Sequence, residues 1–135
     1  MTTGDPAYLH HILDAILHIE DFSRNISSAA ELKDRTLERA GIERMLTIIG
    51  EAAKNVSPQL RRKYPEIPWK ATAGMRDKII HHYFGVDYEA VFETVKQDLP
   101  LLKQGVGAIL TEISTAKNVV VDLKKKRKAG GKKSA

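Results

Sequence analysis

The sequence contains no cysteine. That excludes a disulfide scaffold, thiol catalysis and a Cys-based zinc site, and it suits a reducing compartment. Uninterrupted apolar runs are only a few residues long, too short to cross a bilayer. The opening Met-Thr-Thr-Gly-Asp-Pro has neither a basic stretch nor an apolar core. No secretory signal is therefore expected, and the chain reads as cytoplasmic. Alternating apolar and polar residues of the β type occur nowhere, and there are no internal repeats. With 135 residues, 42% hydrophobic and 29% charged, what remains is an ordinary globular domain with one core.

The net charge of +5 is concentrated at one end. Seven of the 22 basic residues lie in 124–133, where no acidic residue occurs, so the rest carries 15 basic against 17 acidic. A Lys-rich stretch containing Gly130-Gly131 cannot bury a core. The reading is a helical domain over 1–121 and a disordered basic tail over 122–135. The tail is either a solubilising appendage or a non-specific electrostatic tether to nucleic acid.

Periodicity divides the domain into helices. Asp5-Pro6 reads as an N-cap followed by proline in the first turn. Leu9, Ile12, Leu13, Ile16, Ile19 and Phe22 then form a 3.6-residue stripe, predicting a helix over about 6–24. Ser28 and Glu31 fit a capping box, with Asp34 a second possible cap. A long second helix carries Ile42, Met45, Ile49, Ala52 and Val56 on one face, and Ser57-Pro58 ends it or opens a short helical turn. Tyr64–Trp69 is a proline-rich connection pinned by Trp69. A third helix is expected from about Trp69 to Phe84, with Gly85 at its C′ position and Asp87 capping the next helix. The fourth carries Phe92, Val95, Leu99, Leu102, Val106, Ile109 and Ile113. Its stripe keeps phase across Pro100, which predicts a kink and no break. Four main helices with short connections predict an all-α antiparallel bundle.

Chemistry concentrates in Met75-Arg76-Asp77-Lys78-Ile79-Ile80-His81-His82-Tyr83. On a helix Asp77 and His81 are four apart and share a face, so the carboxylate could orient the imidazole and raise its pKa for general acid–base work. Arg76 and His81 are five apart, about 140° around the axis. One helix cannot aim both at one point. Either the site lies at a helix edge, or two copies meet across a dimer. The bland alternative is a helix C-terminal turn whose histidines complement the dipole. Metal ligation has little support: His10-His11 and His81-His82 are adjacent pairs without the i,i+4 spacing of a two-His helical site.

Arg76, four residues, His81, one residue, Tyr83 is the R-x4-H-x-Y pattern of HEPN domains. Around it stand Ile48–Ala53, Tyr64–Trp69, Gly74-Met75-Arg76, His82–Val86 and Asp98-Leu99-Pro100. In this order and spacing, over about residues 6–114, the chain resembles HepT-like toxins of the HEPN superfamily. Those proteins usually carry Asn after the motif arginine, where this chain has Asp77. The basic tail lies outside the resemblance.

The resemblance implies a toxin of a two-gene toxin–antitoxin module, acting as a homodimer whose two motifs line a shared cleft. It implies a metal-independent RNase, with no cofactor, that cleaves RNA through the substrate's own 2′-hydroxyl. Arg76 and His81 would be catalytic, with Asp77 and Tyr83 supporting. The implied partner is an MntA-like minimal nucleotidyltransferase antitoxin that transfers AMP onto Tyr83. The competing reading is a catalytically inactive HEPN bundle that only pairs with this nucleotidyltransferase.

Overall fold

The computed structural model describes residues 4–81 and 85–134, and within these the side chains of 78, 80, 81 and 118–134 are left undescribed. The described chain is all-α apart from one two-residue ladder. Helix α1 spans Asp5–Ser23, α2 Ala29–Asp34, α3 Thr36–Asn55 and α4 Pro58–Lys63. Two short helices follow, α5 at Trp69–Ala73 and α6 at Met75–Ile79, then strands β1 (Ile80–His81) and β2 (Gly85–Val86). The last rod is α7 (Tyr88–Glu93), a π-helical turn at Thr94–Asp98 and α8 (Leu99–Ser134). No described helix is long and apolar enough to cross a membrane.

The apolar stripes meet in one core. Leu9, Ile12, Ile16 and Ile19 of α1 are fully buried, as are Ile42, Leu46 and Ile49 of α3, and Leu99, Leu102, Val106 and Ile109 of α8 join them. Helices α1 and α3 run antiparallel. At one end Ser57 N–H and Oγ–H donate to the Asp5 carboxylate at 2.7 and 2.6 Å. At the other end a Cβ on Gly41 would lie 2.8 Å from the Phe22 ring, so only glycine lets the ring lie there. Asp5 therefore does not cap its own helix. Gly4 precedes α1 without any side-chain cap, and the carboxylate instead ties the start of α1 to the α3–α4 junction. Ser28 caps α2 as expected, accepting from Glu31 N–H at 3.1 Å, while Glu31 turns back to accept from Ser27 N–H. Asp34 caps nothing: it closes α2, and Arg35 enters α3 without a side-chain cap.

The expected third helix is broken twice. Gly74 separates α5 from α6, and α6 stops at Ile79. Beyond it β1 pairs antiparallel with β2, Ile80 opposite Val86 and His81 opposite Gly85. The cause is local. Glycine is a poor helix residue, and the run after Ile79 is β-branched and aromatic, types that lose side-chain freedom in a helix. Gly85 adopts φ +81°, a left-handed conformation that glycine takes without strain. It is thus a strand residue and no helix C′ position. Asp87 N–H closes the turn onto Ile79 C=O at 2.9 Å. Asp87 then caps α7, as expected, by accepting from Ala90 N–H at 3.0 Å.

The last rod is continuous, but its stripe shifts phase. The buried positions are Val91 and Thr94, then Leu99, Leu102, Val106 and Ile109. Phe92 and Val95, expected on the core face, are only partly buried. The step of five between Thr94 and Leu99 coincides with the π turn, where Leu99 N–H reaches back to Thr94 C=O. Pro100 explains it. Proline has no N–H to give the ladder, and its ring collides with the carbonyl four residues earlier in a regular α-helix. A wider turn absorbs both defects. Helical backbone continues to Ser134, through the stretch whose composition predicts disorder. Side chains beyond Lys117 lie outside the described ones, and the boundary at 121/122 stands as a proposal.

Candidate active site

Helix α6 is a bracket with two sides. Met75 and Ile79, four residues apart, are buried, and the helix packs against α3 and α7. Arg76 and Asp77 are left exposed on the solvent side. Among the described residues Arg76 makes no ion pair or hydrogen bond, so its fork of donors is available to an anion. His81 follows on β1, beyond the end of α6. His82 and Tyr83 fall between the strands and lie outside the described residues, as does the His81 side chain.

Two expectations change with this geometry. Asp77 and His81 are not a helical i,i+4 pair, because the helix ends between them. The angle of about 140° between Arg76 and His81 likewise assumes a continuous helix, so it supplies no argument for a dimer here. The chain direction turns after Ile79. One protomer can therefore carry Arg76 and the histidine strand on neighbouring, differently aimed elements. Among the described residues no group of three or more His, Cys, Asp or Glu is placed to hold a metal ion.

Loop 64–68, just upstream, separates two concavities that the sequence reading missed. It is anchored by Trp69, whose Nε1–H donates to Tyr64 C=O at 2.9 Å, as the position of Trp69 led us to expect. On the α8 side lies an apolar groove of about 750 Å³, floored by Ile67, Met75, Leu102, Gly105 and Ile109 and rimmed by Glu66, Asp98 and Glu112. Here Tyr64 O–H donates to Glu112 Oε2 at 2.7 Å. This hydrogen bond, reinforced by burial and by the nearby charges of Glu112 and Glu66, raises the phenol pKa above its ordinary value. The other concavity, on the α4 side, is lined by Arg61, Arg62, Pro65, Trp69 and Lys70. The Arg61-Arg62-Lys63 run was the available signal for it.

Arg76 on the core-anchored α6 and His81 on β1 belong to an R-x4-H-x-Y segment, the pattern of the HEPN class. The chain belongs to the HepT-like family: the family model described as "Ribonuclease HepT-like" matches residues 12–109, which include the whole motif. A protein of Thermococcus cleftensis named "Probable ribonuclease HepT" is 50% identical over 96 residues, covering 71% of this chain and 86% of its own. A candidate RNase of Caldanaerobacter subterraneus subsp. tengcongensis is 45% identical over 110 residues, 82% of this chain and 96% of its own. Another, of Methanocaldococcus jannaschii, is 41% identical over 107 residues, 79% and 88% respectively. No solved structure matches the chain significantly.

Proposed function

We propose that the chain is the toxin of a toxin–antitoxin module and acts as a metal-independent endoribonuclease in the cytoplasm. The observation that carries this reading is the complete Arg76…His81-x-Tyr83 motif in a chain of the HepT-like family, together with relatives named as ribonucleases. His81 takes the proton from a substrate 2′-hydroxyl, and the freed oxygen attacks the adjacent phosphorus. The 5′-oxygen leaves and is protonated, giving a 2′,3′-cyclic phosphate and a 5′-hydroxyl. Arg76 neutralises the crowded, negatively charged phosphorus centre. Asp77 and Tyr83 support the site, Tyr83 by positioning the substrate. Two protomers pair so that both motifs line one cleft. The antitoxin, an MntA-like nucleotidyltransferase, silences the toxin at Tyr83: the phenol oxygen attacks the α-phosphorus of ATP and pyrophosphate departs. The added phosphate puts negative charge and bulk beside Arg76.

The purified chain should cut single-stranded RNA in EDTA and leave cyclic phosphate ends. His81→Ala should lower the rate ~10²–10⁴-fold, and Arg76→Ala ~10²–10³-fold, both with the melting temperature unchanged. Both should also relieve growth arrest on expression without the antitoxin. Tyr83→Phe should take no AMP, read as intact mass after co-expression with the neighbouring gene. Light scattering at micromolar concentration should give twice the 15.1 kDa chain mass. A second reading, an inactive HEPN module that only binds its nucleotidyltransferase, is favoured by one observation: Asp77 where the family usually has Asn. A wild-type rate of RNA cleavage in His81→Ala would replace the nuclease reading with it.

A further inference from the structure

We infer that the α4–α5 lip, centred on Arg62 and Lys70, is a docking site for the phosphodiester backbone of RNA away from the cleaved bond. The inference rests on the RNase reading above and adds a second, non-catalytic contact to it. Four observations point there. Arg61, Arg62 and Lys63 crowd the last turn of α4, whose first turn holds no acid, and Lys54 and Lys70 flank them in the chain on the neighbouring helices. Arg62, Lys63, Lys54 and Lys70 are exposed, and none of them forms an ion pair among the described residues. Arg61 is different. Its guanidinium donates to Val56 C=O at 2.9 Å and Lys54 C=O at 3.1 Å, which builds the lip by fastening α4 to the end of α3. The floor, Pro65, Pro68 and Trp69, is apolar and stiff, a surface on which a base or ribose can rest.

Charge decides what lies there. The acidic residue of the connecting loop, Glu66, lines the opposite groove with Asp98 and Glu112, so the loop sorts the signs, cations to one side and carboxylates to the other. Polyanion is drawn to the first and repelled by the second. The lip is also joined to the motif by a short path: Lys70 stands on α5, Arg76 on α6, and both helices pack against α3. A single strand held at Arg76 can continue over α5 to Lys70 and Arg62. The chemistry is that of phosphate contacts, which position a strand without reading its sequence.

The test is the double variant Arg62→Gln/Lys70→Gln in the full chain, with Arg61 left in place. Binding of a long, uncleavable 2′-O-methyl oligoribonucleotide is measured across a salt series. Losing two phosphate contacts should flatten the slope of log affinity against log salt by about 1.4, at roughly 0.7 per contact for a single strand. Cleavage of long RNA should show a raised KM and an unchanged kcat, and a dinucleotide, too short to reach the lip, should be cut as by wild type. The control is Arg24→Gln/Lys33→Gln, which removes the same charge at the opposite end of the α1–α3 pair. An unchanged slope in the lip variant overturns the inference, and so does an equal flattening in the control. The basic tail is common to all the proteins and cancels. If no protein cuts RNA yet the slope still flattens, the RNase reading has failed and the lip stands. If wild type cuts RNA and the lip variant matches it in KM and slope, the lip has failed and the RNase reading stands.

Discussion

Asp5 illustrates how far a residue's chemistry reaches beyond its neighbours in the chain. Acidic, followed by proline, at a helix start, it has every local mark of a cap. Its carboxylate instead accepts two hydrogen bonds from Ser57, 52 positions away. Local sequence cannot show this, because the partner becomes adjacent only when α1 and α3 lie antiparallel. Asp5→Ala removes both bonds and leaves Ser57 N–H unpaired in a partly buried place. Hydrogen bonds to charged groups contribute about 1.5–3 kcal/mol, so a loss of about 2 kcal/mol is expected, read as a lower urea midpoint with an unchanged slope. The motif residues were legible for the opposite reason. Arg76, Asp77, His81 and Tyr83 announce themselves by type and spacing, with no long-range partner needed. For Arg76 and Asp77 the structure adds exposure on the outer face of α6.

At the scale of elements, the long amphipathic helices were readable because each carries many turns of consistent pattern. Short elements were not. β1 and β2 have two residues each, fewer than any alternation needs to become visible, and the isoleucine and histidine of β1 pass equally well for a helix end. Close contact between α3 and α5 depends on Gly50. A Cβ on Gly50 would lie 3.1 Å from Ala73 C=O, and that carbonyl is backbone at the end of α5, with no flexible tip to swing away. Gly50→Ala would gain about 1 kcal/mol in helix propensity but would push α5 off α3 at a cost of about 1–3 kcal/mol. The expected net result is a modest fall in melting temperature and a larger fall in cleavage, since α6 and Arg76 follow α5 directly. A variant more stable than wild type, with full activity, would show that α5 can shift freely.

The whole molecule depends on one core shared by three long helices. Leu102 is 5% exposed and sits among α8 residues that pack on α1. Leu102→Asp buries a carboxylate without a partner, at a cost of several kcal/mol against a total stability of about 5–15 kcal/mol. The chain should then be unfolded at room temperature, visible as lost helical circular dichroism. Retained ellipticity and a cooperative melt would mean that α8 is dispensable to the core. Fold class was legible at this scale because three long stripes of helical period leave few other architectures. The two concavities beside loop 64–68 were not, since each draws residues from segments distant in the chain.

The wide turn at Thr94–Asp98 makes the last rod tolerant of a change in length at one place and intolerant elsewhere. Its extra residue is the reason the core positions step by five from Thr94 to Leu99. Deleting Gln97 would return the rod to ordinary α-helical spacing, with the same apolar faces still inward on both sides of the deletion. The ring of Pro100 would then collide with the tightened ladder, so the shortened chain should fold well only when Pro100→Ala accompanies it. One residue removed between Lys103 and Val106 has no such slack, and would turn every later side chain of α8 by about 100°. Natural length variation in this rod should therefore cluster at the wide turn, with loss of a residue and loss of the proline occurring together.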